Sequence, residues 1–170
     1  MKLARLALAV VTVSVLTACG GGAPNSKFRG TAGTKIRSAA AVAVPSEVLG
    51  LTVKPEDITK TVSNAQRAYI DSLALYGMRS DNLLQATLQV SRFNADAKYQ
   101  TDRFRLAVVN QVGTRRPTAL TVQDQPVYLT AGNRQRIYVW FKGRYFFVLA
   151  SREDFGSPRA LLRTLLEIKP

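Results

Sequence analysis

Residues 135–151 constrain the fold more than any other stretch of the chain. In Gln135–Phe141 and Arg144–Ser151, separated by Lys142-Gly143, both alternating sets of side chains are largely apolar. Taking Lys142-Gly143 as a two-residue hairpin loop pairs Trp140 with Tyr145, Tyr138 with Phe147, and Val139 with Phe146. One face then carries Tyr138, Trp140, Tyr145, Phe147 and Leu149; the other carries Ile137, Val139, Phe146, Val148 and Ala150. A strand pair with no polar face has to be covered on both sides, which makes it the centre of a sheet.

Other elements follow from periodicity and punctuation. Lys54-Pro55-Glu56-Asp57 reads as the start of a short helix, with proline and acids in its first turn. Leu73–Tyr76 and Leu84–Val90 alternate as two strands around Arg79-Ser80-Asp81-Asn82. Phe104, Ala107, Val108, Gln111 and Val112 share a helical stripe, capped by Asn94 or Thr101 and stopped at Gly113. Leu120–Gln123 and Val127–Ala131 precede the apolar hairpin, with turns at Asp124-Gln125-Pro126 and Gly132-Asn133. Ser157-Pro158 opens a last helix with Leu161, Leu162, Leu165 and Ile168 on one face and Arg159 and Arg163 on the other.

This order predicts an α+β domain: a single antiparallel sheet of about 5–6 strands with helices on both faces, or with helices on one face as the alternative. The element order, above all the strand–turn–strand–helix finish, resembles the PsbP-like α/β/α sandwich. The likeness is one of fold and implies no particular function.

The N-terminus carries a different signal. Lys2 and Arg5 precede an apolar run from Leu6 to Leu16 and then Leu16-Thr17-Ala18-Cys19. A charged start, an apolar core too short to span a bilayer and a small-residue cleavage site make a secretory signal. The last four residues resemble the lipobox of bacterial lipoproteins. That resemblance implies cleavage before Cys19, lipid on its thiol and retention at a membrane, either the outer leaflet of the plasma membrane or an outer membrane. The expected division is a signal at 1–18, a lipidated cysteine and basic tether at 19–46, and one domain at 47–170. The tether holds Lys27, Arg29, Lys35 and Arg37 before any acid appears at Glu47.

Composition narrows the chemistry. The chain has 24 basic and 11 acidic residues, a net charge of +13, which favours anionic surfaces. It has no histidine, and Cys19 is its one cysteine. With that thiol spent on lipid, as the resemblance implies, the commonest general base, metal ligand and thiolate nucleophile are all missing from the exported domain. No catalytic fingerprint is present, and neither a cofactor nor a metal is expected.

Two candidate sites remain. Tyr138, Trp140, Tyr145 and Phe147 would form an aromatic platform for a sugar, lipid or aromatic ligand if exposed, and core beneath the C-terminal leucines if not. Arg115, Arg116, Arg134, Arg136, Lys142 and Arg144 would form an anion-binding surface if they converge. Arg134 and Arg136 should share one side of their strand. The leading expectation is a membrane-tethered, non-enzymatic envelope module that binds an envelope protein, an anionic polymer or a lipid. The alternative is a small extracytoplasmic hydrolase using serine or carboxylate chemistry, which would need carboxylates such as Asp71, Asp81, Asp124 and Glu153, or a serine, gathered in one pocket. An accessory subunit that adds a strand or helix face to a larger complex is a third reading. Nucleic acid is the weakest candidate partner, since no binding motif for it appears.

Overall fold

The computed structural model describes residues 37–38, 42–58, 69–95 and 97–170. The signal segment and Cys19 lie outside the described residues.

Among the described residues nine strands form one sheet: β1 (Arg37–Ser38), β2 (Glu47–Val48), β3 (Leu51–Pro55), β4 (Ile70–Ser80), β5 (Leu83–Phe93), β6 (Thr118–Val122), β7 (Gln125–Gly132), β8 (Gln135–Lys142) and β9 (Tyr145–Arg152). Two helices accompany them among the described residues, α1 (Asp102–Val112) and α2 (Pro158–Leu166). The sheet order is β2-β3-β4-β5-β9-β8-β7-β6, antiparallel throughout, and β1 lies parallel on β4 beyond the end of β3.

This overturns the expected α+β sandwich and, with it, the likeness to the PsbP-like fold. The strand count exceeds 5–6, and the helices are single elements of 11 and nine residues, too short to form covering layers. The one-face alternative fails as well. Leu161, Leu162 and Leu165 of α2 join Trp140, Phe147 and Leu88 in one core cluster, while Phe104, Val108 and Val109 of α1 join Val139, Phe146 and Phe93 in another. β4 and β5 run past the alternating segment to Ile70 and Phe93, with Asp71 paired to Arg92 at 2.8 Å across them. The predicted helix start is also corrected. Lys54 and Pro55 end β3, and the Glu56 N–H donates to the Leu75 carbonyl at 2.8 Å. The continuation of that expected helix, residues 59–68, lies outside the described residues.

The central hairpin keeps its two faces and changes its register. The loop is Gly143-Arg144, so Trp140 opposes Phe147, Tyr138 opposes Leu149 and Val139 opposes Val148. Moving the partner by two residues preserves every side chain's face. Glycine at 143 has φ +54, the left-handed region that this tight turn requires. The neighbouring hairpins turn on Asp81-Asn82, Gln123-Asp124 and Asn133-Arg134, all with positive φ at both residues. Arg134 therefore sits in a turn, and the strand alternation expected to align it with Arg136 does not apply.

Each face has its own core. On the α2 side Trp140 stacks on Phe147 with centroids 5.1 Å apart and planes 4° from parallel. On the α1 side Phe93 is the hub, stacked on Phe146 at 4.9 Å and meeting Phe104 edge-on at 5.4 Å. The helix α1 starts at Thr101, whose side chain accepts from the Phe104 N–H at 3.3 Å. In α2 the Ser157 side chain makes no capping bond, and the Leu161 N–H donates to the Ser157 carbonyl instead. Val42, inside the stretch read as tether, is buried in the α2-side core.

Gly113 follows α1 with an ordinary extended backbone, φ −115. It is glycine because a Cβ there would collide with the Thr130 side chain, which is buried and donates to the Arg115 carbonyl at 2.6 Å. Gly113→Ala should destabilise the fold by about 1–3 kcal/mol through overpacking. Urea unfolding should show that penalty shrinking when Thr130 is also replaced by alanine.

Tyr69 is buried against Phe93 and Phe104 and donates to Gln111 Oε1 at 3.1 Å. Burial pushes its pKa well above the ordinary phenol range, so the folded state holds the proton more tightly than the unfolded chain. The resulting stability is fully present below about pH 10 and is lost as pH rises beyond it. Tyr69→Phe should cost about 0.5–1.5 kcal/mol at neutral pH for the lost hydrogen bond. Thermal melts between pH 9 and 11 should show the two proteins converging as the wild type alone loses stability.

Candidate functional site

The aromatic set is core. Trp140 is 1% exposed, Tyr138 2% and Phe147 0%, all packed with the α2 leucines, while Tyr145 is half-buried at the margin. A ring that solvent does not reach offers no stacking platform, so that reading is corrected. The periodicity placed these rings on one face; the helix that covers them starts at Pro158, well beyond Phe147, where no local pattern shows which face it takes. Trp140 Nε1 finds no hydrogen-bond partner among the described residues, a cost of order 1–3 kcal/mol that the surrounding apolar burial outweighs.

The six cations do not form one surface. Arg136 and Lys142 stand six residues apart on β8, roughly 20 Å along an extended strand. At one end of the sheet lie Arg134 and Arg136, with Arg115 and Arg116 beside them through the Thr114 N–H bond to the Ala131 carbonyl at 3.0 Å. These four are exposed. At the other end both cations are engaged in structure. Lys142 Nζ donates to the Ile168 carbonyl at 2.9 Å and to the Leu166 carbonyl, closing the C-terminal end of α2. Burial pushes the Lys142 pKa down, helped by the charge of Lys169. Arg144 donates to the Phe93 carbonyl at 2.8 Å and lies 3.7 Å from Asp71, which also pairs with Arg92 at 2.8 Å.

The carboxylates considered for hydrolysis are spread in the same way. Asp71 is held by its two arginines near the Gly143-Arg144 turn, and Asp124 sits in the β6–β7 turn. Asp81 occupies the β4–β5 turn and Glu153 follows β9 at the opposite end of the sheet. Among the described residues no three histidine, cysteine or acidic side chains group as a metal site.

A concave feature lies elsewhere among the described residues, between β6 and α2. A groove of about 440 Å³ is lined by Leu120, Thr121, Val122 and Gln123 from β6 and its turn, by Tyr138, and by Arg159, Leu162 and Arg163 from α2. Its position follows from the order of the sheet. The last strand, β6, lies at the sheet's edge beyond β7, and Arg159, Leu162 and Arg163 of α2 face it across the groove. Leu162 and Tyr138 are buried and make the apolar part, while Arg159 and Arg163 are exposed. The two arginines stand one helical turn apart, so their Cβ atoms are about 6 Å from each other. Neither has an ion-pair partner among the described residues, and no acidic side chain lines the groove. An arginine pair over an apolar floor binds anionic groups attached to a chain with some apolar character.

Sequence reasoning put Arg159 and Arg163 on the outer side of the last helix and stopped there. Their i, i+4 spacing opposite a leucine face was visible. The strand they lean over was not, because it is set by a sheet order that crosses from β5 to β9.

Comparison with protein-family models, with curated proteins and with solved structures gives no match. Among the described residues no helix is long and apolar enough to cross a membrane.

Proposed function

We propose that this chain is an exported, lipid-anchored, non-enzymatic module of the bacterial cell envelope that holds an anionic partner in the groove between β6 and α2. The observation that carries the reading is the pair Arg159 and Arg163, free of carboxylate partners among the described residues and flanking a groove without an acid. The signal-like N-terminus with Cys19 and the net charge of +13 support the location and the sign of the partner. The basic stretch after Cys19 would draw the module toward an anionic leaflet, at about 1 kcal/mol per cation near the surface. The folded domain would then present the groove to envelope components.

Two measurements test the two halves. Cys19→Ser should move the protein from the membrane to the soluble fraction of expressing cells; retention in the membrane fraction would remove the lipid anchor from this reading. The full chain should bind inorganic polyphosphate, and rising salt should weaken the interaction as screening grows. Arg159→Ala with Arg163→Ala should weaken that binding about five- to thirty-fold, from about 0.5–1 kcal/mol per exposed charge pair. Equal binding by this variant would place the anion on the general basic surface and overturn the groove.

A further inference from the structure

We propose that β6 is a docking edge for an acidic peptide segment of a partner protein, which adds to the sheet as a further strand beside the arginine pair. This inference rests on the anion-binding reading of the groove and specifies the chemistry of what fills it.

The edge is open and its backbone is set to receive a strand. No strand lies on the outer side of β6 among the described residues. The hairpin closes on Val122 and Gln125 across a two-residue turn, so bonded pairs alternate inward from there: Val122 with Gln125, Leu120 with Val127, Thr118 with Leu129. Thr121 opposes Pro126, which has no N–H, as a non-bonded pair allows. Ala119 and Thr121 therefore turn their N–H and C=O groups outward. The strand reads Thr-Ala-Leu-Thr-Val, with none of the charges or prolines that blunt an edge. Strand addition uses main-chain bonds for affinity and side-chain pockets for alternate residues.

Charge selects the occupant. Alternate side chains of an added strand stand about 6.7 Å apart, close to the spacing of arginines one helical turn apart. A segment with a carboxylate at every second position would set two of them toward Arg159 and Arg163. A second copy of this chain would bring its own arginine pair to the same face, and each copy carries +13. The N-terminal stretch with Lys27, Arg29, Lys35 and Arg37 has the wrong sign as well. An acidic segment from another protein is the complementary partner.

The test uses the full chain with a ten-residue peptide alternating glutamate and threonine, a lysine-for-glutamate version of it, and inorganic polyphosphate as an anion that cannot form a strand. The glutamate peptide should bind and slow amide exchange at Ala119 and Thr121, and the lysine peptide should bind at least tenfold more weakly. Ala119→Pro, at a residue outside the groove lining, removes an outward N–H that makes no bond to β7. It should weaken the glutamate peptide at least tenfold while leaving polyphosphate binding unchanged. Unprotected amides at 119 and 121 in the wild type, or equal peptide binding by Ala119→Pro, would overturn strand addition and leave the anion groove standing. Salt-strengthened self-association that itself protects those amides would overturn the acidic partner in favour of a second copy. Polyphosphate binding that survives Arg159→Ala with Arg163→Ala would instead defeat the underlying reading.

Discussion

Tyr138, Val139, Trp140, Phe146, Phe147 and Leu149 leave the β8–β9 hairpin without a surface that water can wet. Desolvating both faces at about 25 cal/mol per Å² of apolar area stabilises the fold, and the elements beside and above the hairpin secure it. β5 closes one side of the pair and β7 the other, so the hairpin lies inside the sheet. The leucines of α2 cover Trp140 and Phe147, and Phe104, Val108 and Val109 of α1 close over Phe146 and Val139. Lys142, at the end of the same strand, fastens the last turn of α2 by its carbonyls. The groove is a by-product of this arrangement: a nine-residue helix placed to cover Trp140 leaves the outermost strand only partly roofed.

Period and turn chemistry made much of the fold legible. The alternation across 135–151 assigned each side chain to its face, and those faces hold in the structure. The stripe from Phe104 to Val112 marked α1, and turn residues marked the four hairpins from β4 onward but not the one between β2 and β3. The register of the central hairpin was not legible, because Lys142-Gly143 and Gly143-Arg144 are both plausible two-residue loops. The outcome turns on Gly143, which takes the first position of the turn, where φ is positive. The extent of the sheet was hidden for another reason. β2 and β3 pair around Leu49-Gly50 through few residues, and Lys54-Pro55-Glu56 carries the composition of a helix start while lying against β4. Tertiary pairing overrides local preference there.

The candidate site was legible only in fragments. Its residues come from Leu120 to Gln123, from Tyr138 and from Arg159 to Arg163, and the sheet order β5-β9-β8-β7-β6 brings them together. Reading along the chain favoured clusters near turns, where arginines are dense. Lys142 and Arg144 show why density misleads: both spend their hydrogen bonds on backbone carbonyls of α2 and β5. Arg159 and Arg163 are sparser, and the anion-binding reading rests on them.

The two edges of the sheet differ in a way that bears on assembly. β2 contributes two residues, and the strand behind it ends in Lys54 and Pro55. β6 is an uncharged five-residue strand. A sheet that is blunt on one side and receptive on the other has a valence of one. It offers one edge to a partner strand, so copies of this chain could not build a longer sheet by joining through their own edges. Such a molecule terminates a sheet rather than propagating one, and that asymmetry separates a stoichiometric complex from a fibre.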